Sequence, residues 1–308
     1  MKSRIIRALG AVAATAALAA CASSMPSPPS RVAQAPSRQD AAADHALAVQ
    51  ASAFESFMRR ARGIDAAFSG PGEVAQALQT GAAHEPKELE AGMIAYAALA
   101  ALQEPRFVAG LQAGRDHAEL ARRLAADPEA ALDLPGGEAA GARAAGALYA
   151  QGGALADEGQ KVRKAAYSVQ HQAWSKAPVS DPAGRLSRVK RISAQGYQPA
   201  REDVGRLSAS LSQGERRAGA ASPVVARGVA LAALSVLGEG ARGRALMSEP
   251  KSGMCLRMAK LNLYQCLASA RPHYEDIFCL GQHAMIDPGQ CVVDATRPAR
   301  VIRRAALD

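Results

Sequence analysis

Four cysteines near the C-terminus constrain the fold of this 308-residue chain more than any other feature. They are Cys255, Cys266, Cys279 and Cys291. The segment from Ser252 to about Ala270 is predicted to be a helix. Its apolar residues lie on nearly every face, which indicates a buried helix rather than a surface one.

A second helix is predicted to follow directly. Arg271-Pro272 ends the first helix, and proline suits the opening turn of the next one because its missing N–H is not needed there. The second helix is expected to stop at Asp287-Pro288-Gly289. Because the connection is so short, the two helices should form an antiparallel hairpin.

Helix geometry restricts how these cysteines pair. Cys255 and Cys266 would lie about 16 Å apart along one continuous helix, whereas a disulfide needs Cα atoms within about 7 Å. Counting outward from the turn favours the nested pairs Cys266–Cys279 and Cys255–Cys291. The spacing resembles that of twin Cys-x9-Cys helical hairpins in geometry only, and no function follows from it. The alternative is four reduced, buried cysteines that only pack.

The N-terminus indicates where the chain is located. Lys2, Arg4 and Arg7 accompany an apolar run, residues 5–20, that is too short for a comfortable membrane span. The run closes with Leu18-Ala19-Ala20-Cys21. This resembles the lipobox of bacterial lipoproteins, in which the signal peptide is removed before the cysteine.

The resemblance implies that Cys21 becomes the first residue and carries acyl chains such as palmitate. Two or three acyl chains anchor a protein stably, whereas one binds only marginally. Ala22-Ser23 follows where an inner-membrane lipoprotein would have Asp, so the periplasmic face of the outer membrane is expected. An ordinary alanine-rich signal peptide with a chance cysteine is the alternative.

The predicted location determines the expected oxidation state of the cysteines. Lipidation would use Cys21 and leave four cysteines in the oxidising periplasm, where disulfides persist. Removal of residues 1–20 would also remove three cations and lower the net charge from +9 to +6. That charge favours anionic neighbours such as lipid head groups or envelope polymers. Nucleic acid is not expected as a partner of an exported chain without an aromatic-interleaved basic motif.

The composition predicts an all-α protein, because no long segment alternates with period two and β-branched residues are sparse. The architecture is expected to be a multi-helix bundle or irregular stacked helix pairs with a C-terminal disulfide-stapled helical hairpin. The predicted divisions are a signal peptide at 1–20, a flexible Pro/Ser/Ala-rich tether at 21–39, a helical periplasmic domain at 40–296 and a basic tail at 297–308. The domain would contain the disulfide hairpin at 252–291 and a subdivision near 178–182.

Prolines and caps predict most helix boundaries. One helix should end near Gly63, and others should begin at Pro71, Glu85-Pro86, Pro105 and Ser222-Pro223. Asp116 is expected to cap a further helix.

Glu138 to Lys176 is predicted to be one long helix or a pair of helices. Its glycines indicate either close packing against another helix or an interruption at Gly152-Gly153. The expected inner positions are Leu148, Tyr149, Leu155, Val162, Tyr167 and Trp174. Ala95–Leu102 resembles Ala230–Leu237, which indicates either two related halves or two similar buried helices.

The most concentrated basic segment carries Arg185, Arg188, Lys190 and Arg191 on one predicted helix. These residues are candidates for binding an anion or facing lipid. The alternative is a solvated helix face with no ligand.

Catalytic motifs are missing from the sequence: there is no P-loop, no dinucleotide-binding glycine motif, no nucleophile elbow and no His-Glu-x-x-His. His45, His84, His117 and His171 stand alone and are expected at the surface or at helix ends. Cys279 and His283 could share a zinc ion with Cys266 and with Asp276 or Asp287, but oxidation of the cysteines would remove the thiolates. No catalytic residue, metal ligand or cofactor is therefore predicted.

Three functions are compatible with these features. The first is a non-enzymatic interaction or scaffolding module with an envelope protein partner, anchored through Cys21. The second is a binder of anionic envelope polymer or lipid through the basic helix. The third is a metalloprotein or enzyme centred on Cys279 and His283.

Overall fold

The computed structural model describes residues 38–298, except 115, 199, 201, 213 and 218–221, with side chains from residue 42 onward apart from that of Val204. The lipobox, residues 21–37 of the predicted tether and the end of the basic tail lie outside the described residues, and α1 begins two residues before the predicted end of the tether. The fold is all-α, as predicted, and its only β-type pairing within that range is a single bridge between Pro178 and Pro272. The helices are α1 (Arg38–Arg62), α2 (Pro71–Ala82), α3 (Pro86–Ala101), α4 (Pro105–Ala113), α5 (His117–Ala126), α6 (Gly137–Val169), α7 (Ala173–Lys176), α8 (Pro182–Ser193), α9 (Asp203–Leu211), α10 (Pro223–Val236), α11 (Pro250–Ser269), α12 (His273–Cys279) and α13 (Asp287–Asp294).

Proline opens many of these helices, which confirms the predicted starts at Pro71, Pro86, Pro105 and Pro223. The Ser222 hydroxyl accepts a hydrogen bond from the Val225 N–H at 3.1 Å, so it caps α10 as expected. The expectation for Asp116 was wrong in one respect. It occupies the position before α5, but its side chain makes no capping bond.

The centre of the molecule is formed by α3 and α10, which are buried on all sides. They pack against each other, and α1 and α6 cover α3. Small residues allow this close approach: a Cβ on Gly228 would lie 2.6 Å from the Ala97 Cβ. The two similar segments of the sequence are therefore the two central helices. One hydrophobic cluster extends from Leu47 to Ala295.

The long helix α6 is continuous, so the glycines do not interrupt it. A Cβ on Gly152 would lie 2.7 Å from the Gly289 carbonyl, and one on Gly159 would lie 2.8 Å from the Met285 Cβ. The close-packing interpretation is therefore correct. Leu148, Leu155 and Val162 are buried as expected and Trp174 is partly buried, but Tyr149 and Tyr167 are exposed.

The second helix of the hairpin is longer than predicted. A π-helical segment, Leu280–Ile286, joins α12 to α13, so the helical run continues to Asp294 instead of stopping at Pro288. The Asp287 N–H bonds to the Gln282 carbonyl, five residues back. This wider turn accommodates a proline that would otherwise clash within an α-helix. We call residues 273–294 the C-terminal helix.

The segment considered as a domain boundary is bonded to the rest of the structure. The Val179 N–H donates to the Arg271 carbonyl at 2.8 Å, which ties it to the turn of the hairpin. The described residues belong to one compact unit. No helix in the described range is both long and apolar enough to cross a bilayer.

Candidate functional site

The two disulfides join α11 to the C-terminal helix. Cys255 pairs with Cys291 and Cys266 with Cys279, and the Cα atoms are 5.7 Å apart in each pair. This is the predicted nested pairing. A bonded Cys279 offers no thiolate to a metal, and the His283 Nδ1 lies 2.7 Å from the Asp287 Oδ2. The conceivable zinc site at Cys279 and His283 is therefore not formed, and no metal-binding cluster occurs elsewhere in the described range.

Helix α8 forms where the basic segment was predicted, but its four cations do not share one surface. Arg188, Lys190 and Arg191 are exposed. Arg185 is only 6% exposed, and its guanidinium donates to the Asp276 carboxylate and to the Leu267 and Ala270 carbonyls. Including Arg185 in an anion-binding face was therefore wrong. The sequence contains a signal for the burial of Arg185: it lies four residues before the buried Val189 and therefore on the same face of α8.

Asp276, considered from the sequence only as a conceivable zinc ligand, is instead the acidic partner of Arg185. It is almost completely buried at the start of the C-terminal helix. Burial raises its pKa to about 6, and the bond from Arg185 opposes that rise. The pair fastens α8 to the turn of the hairpin. Its members are 91 residues apart in the sequence, so no local pattern could have identified them.

One face of α11 is open, which contradicts the prediction of a helix buried on nearly every side. Met254, Met258 and Leu261 are 54%, 45% and 49% exposed. They lie at helical spacing i, i+4, i+7 and therefore form one stripe about 10 Å long. We call these three residues the α11 ridge. The other faces of α11 are covered by α3, α8 and the C-terminal helix.

The surroundings of the α11 ridge are cationic. Helix α11 contains no Asp or Glu, and Lys251 and Arg257 occupy its outer half. From α8, the Lys190 ammonium lies 5.6 Å from the centroid of the Tyr264 ring, within the range of a cation–π contact. An apolar stripe with positive charges beside it is suited to a partner that is apolar at its centre and acidic at its rim.

The inner face of α11 carries a buried lysine, also missed by sequence reasoning. Lys260 is 4% exposed, and its Nζ lies 2.9 Å from the Ala82 carbonyl, 3.2 Å from the Ser193 Oγ and 3.3 Å from the His84 Nδ1. These three neighbours match the three donors of an ammonium group. Burial lowers the Lys260 pKa to about 7. Burial, followed by the charge of Lys260, lowers the pKa of His84 well below its ordinary value.

This cluster joins the ends of helices. Ala82 and Ser193 are the last residues of α2 and α8, so Lys260 donates to a carbonyl at a helix C-terminus, which also accepts the His84 N–H at 2.8 Å. A lysine beside a serine hydroxyl also occurs in nucleophilic catalysis. Here the Ser193 hydroxyl donates to the Ala82 carbonyl at 2.9 Å and is itself buried. The arrangement therefore fits a structural role. His84, expected at the surface or at a helix end, is buried against Phe57.

Comparison with known proteins found no matching family model, no matching curated protein and no matching solved structure.

Proposed function

We propose that this protein is a lipid-anchored, non-enzymatic interaction module at the periplasmic face of the outer membrane, and that it binds a protein partner through the α11 ridge. The observation that carries the proposal is the exposure of Met254, Met258 and Leu261 along one helix face. Three of the five exposed large hydrophobic side chains identified in the described range are in this stripe. Exposed apolar side chains that cluster on one face are typical of an interaction site.

The composition of the ridge supports a protein as the partner. Two of its three residues are methionines, whose flexible and polarisable side chains are common on surfaces that bind other proteins. The two disulfides fix the helix before binding, so little conformational entropy would be lost on association. Lys251, Arg257 and Lys190 complement an acidic rim on that partner.

The lipid anchor and the compartment are supported by the sequence. Leu18-Ala19-Ala20-Cys21 resembles a lipobox, and residues 22–37, which precede α1, would tether the domain about 55 Å or less from the bilayer. Two disulfides are typical of an oxidising compartment such as the periplasm. Acylation of Cys21 is tested by Cys21→Ser, which should leave an unprocessed precursor that takes up no labelled fatty acid. Equal labelling of the variant and the native chain would contradict it.

A second candidate function is binding of an anionic envelope polymer or lipid. The observation that favours it is the exposure of Arg188, Lys190 and Arg191 on α8. Binding of this kind depends on exposed charges and should weaken strongly as the salt concentration rises. Binding through the apolar ridge should be much less sensitive to salt.

The test is site-specific photocrosslinking in intact envelopes. A photoreactive residue at Met258 should capture a defined protein, and the triple variant Met254→Gln, Met258→Gln, Leu261→Gln should lose that protein in a high-salt pull-down. Glutamine keeps the helix propensity of α11 while removing the apolar surface. Tyr167→Gln is the matched control because Tyr167 is exposed but lies on α6. Retention of the partner by the triple variant would contradict the ridge. Capture abolished by salt and by neutral residues at Arg188, Lys190 and Arg191 would favour the second candidate.

A further inference from the structure

A polar cavity of about 370 Å³ lies between α1, the start of α3, the end of α8 and α9. That volume is within the range of sites for small molecules. Its walls combine apolar side chains, including Phe57 and Leu89, with the guanidinium groups of Arg60 and Arg206 and with Tyr197. This mixture of an apolar lining and a few polar groups is typical of a ligand site rather than of a packing defect.

Asp203 organises one wall of the cavity. Its carboxylate is almost completely buried and accepts hydrogen bonds from the Tyr197 hydroxyl, from the Ala200 N–H at 2.9 Å and from the Arg59 guanidinium at 3.3 Å. Arg206 lies 3.6 Å away and completes the set. Burial alone would raise the pKa of Asp203, but these donors outweigh burial and lower it. Asp203 therefore stays ionised and holds Arg59 and Tyr197 in place.

The other carboxylate of the wall is also satisfied by the protein. Both oxygens of Glu88 accept the Tyr197 N–H, at 2.9 and 3.1 Å. The two acidic groups that line the cavity are thus already bonded to donors of the chain.

Arg60, unlike these two carboxylates, keeps most of its hydrogen-bonding groups available. Its Nε donates to the Ser56 carbonyl at 3.2 Å, and no carboxylate pairs with its guanidinium among the described residues. His84 also borders the cavity, and its buried Nε2 has no hydrogen-bond partner in the described range. Three arginines and two carboxylates line the cavity, so the formal charge of its lining is positive. The Arg60 guanidinium and the His84 Nε2 are the groups that can still donate to an acceptor.

We propose that this cavity binds a small organic anion, with its carboxylate at the Arg60 guanidinium and its apolar part against Phe57 and Leu89. Arginine binds carboxylates through two parallel N–H donors, which gives both affinity and orientation. The site is independent of the α11 ridge and goes beyond the interaction function proposed above. It would give this protein a small-molecule ligand.

The experiment measures binding of benzoate to the full-length protein by equilibrium dialysis, with benzamide as a neutral molecule of the same shape. Benzoate should bind saturably and benzamide should not. Arg60→Gln should weaken benzoate binding on the order of tenfold or more, as expected for loss of a charge-assisted hydrogen bond. Arg60 is exposed, so this substitution leaves the core intact. Arg60→Lys, which keeps the charge but loses the paired donors, should bind with intermediate affinity.

Arg122→Gln is the matched control, because Arg122 is an exposed arginine of α5 that does not line the cavity. It should bind benzoate as the native protein does. Absence of saturable benzoate binding, equal affinity for benzamide, or native affinity in Arg60→Gln would each overturn the proposal. None of these outcomes depends on the partner of the α11 ridge.

Discussion

The C-terminal helix packs against two long helices, α11 and α6, and it is attached to each in a different way. Toward α11 the connection is covalent, through two disulfides near the two ends of the contact. Toward α6 it is entirely non-covalent: the Arg163 guanidinium donates to the Gln282 side-chain carbonyl at 2.6 Å, and glycines allow the closest approach. Gly152 faces the Gly289 carbonyl, and Gly159 faces Met285. The C-terminal helix therefore has a covalently fastened side and a closely packed side.

The difference explains how α11 can leave an apolar face uncovered. A disulfide stabilises the folded state largely by restricting the unfolded chain, so it does not require full burial of the helix that carries it. Packing against α6 has less freedom, because the contacts at Gly152 and Gly159 leave no room for a side chain. The α11 ridge is thus free to bind a partner on the side of the molecule where covalent bonds supply the attachment.

Reduction of the two disulfides should lower the free energy of unfolding more than any of the substitutions described below. Closing the inner loop of 13 residues contributes about 3 kcal/mol in the chain-entropy account, and the outer loop of 36 residues contributes somewhat more. Because the loops are nested, reduction of both should lower the free energy of unfolding by on the order of 5 kcal/mol. The measurement is urea unfolding followed by circular dichroism, with and without a reductant.

The shift should be seen in a single transition, because one hydrophobic cluster includes both ends of the described chain. A variant with alanine at all four cysteines is the control, and the reductant should leave its unfolding unchanged. An unchanged midpoint in native protein with four free thiols would show that the covalent side adds no stability.

Substitutions in the buried Arg185–Asp276 ion pair test whether this pair stabilises the turn of the hairpin in addition to the disulfides. Arg185→Met leaves Asp276 buried without its charged partner and should cost about 3–5 kcal/mol. Arg188→Met, on the exposed side of the same helix, should change stability by less than about 0.5 kcal/mol. The comparison uses urea unfolding of oxidised protein.

Replacing both members of the pair provides a second check. Arg185→Met with Asp276→Leu removes both charges and should recover much of the loss, because an apolar pair can replace a buried ion pair. Equal stabilities for Arg185→Met and Arg188→Met would mean that the disulfides alone hold this joint.

The pH dependence of stability tests the inner face of α11, where Lys260 is buried and no disulfide is present. Its pKa is about 7 in the folded protein and 10.5 as the ordinary value, so the unfolded chain binds more protons between these limits. Stability should therefore rise with pH in that window and be lost as the pH falls toward 7. From pH 7 to 9 the rise should be on the order of 2 kcal/mol.

The control for this pH dependence is Lys260→Met, in which the rise should be absent. Lys251→Met removes an exposed lysine of the same helix and should retain the rise. Urea unfolding at several pH values measures both. A native-like pH dependence in Lys260→Met would show that another group is responsible.

Local signals in the sequence predicted the elements that local chemistry determines. Proline and cap residues gave the starts of α2, α3, α4 and α10, and helix spacing gave the cysteine pairs. Errors arose where distant residues decide the outcome. Lys260 bonds to His84, 176 residues away, and the exposure of the α11 ridge depends on which faces other helices cover.

Pro288 and the glycines of α6 show a second limit of prediction from sequence: the same residues are compatible with more than one local structure. Proline usually ends a helix, but a π-turn before Pro288 lets this one continue. Glycines in a helix are compatible with an interruption or with close packing, and both interpretations of Gly152-Gly153 followed from the same letters. Only the position of the C-terminal helix distinguishes them.

The smallest expected effects come from this glycine pair, and they test the closely packed side directly. A Cβ on Gly153 would meet no atom within 4 Å, so Gly153→Ala should stabilise by about 1 kcal/mol through helix propensity. A Cβ on Gly152 would lie 2.7 Å from the Gly289 carbonyl, so Gly152→Ala should destabilise by about 1 kcal/mol, because the same propensity gain offsets part of an overpacking cost of about 1–3 kcal/mol. The two substitutions are adjacent and change the unfolded chain equally, so the difference in their unfolding free energies isolates the contact with α13. Equal effects of the two substitutions in urea unfolding would mean that α6 and the C-terminal helix are not in close contact at this point.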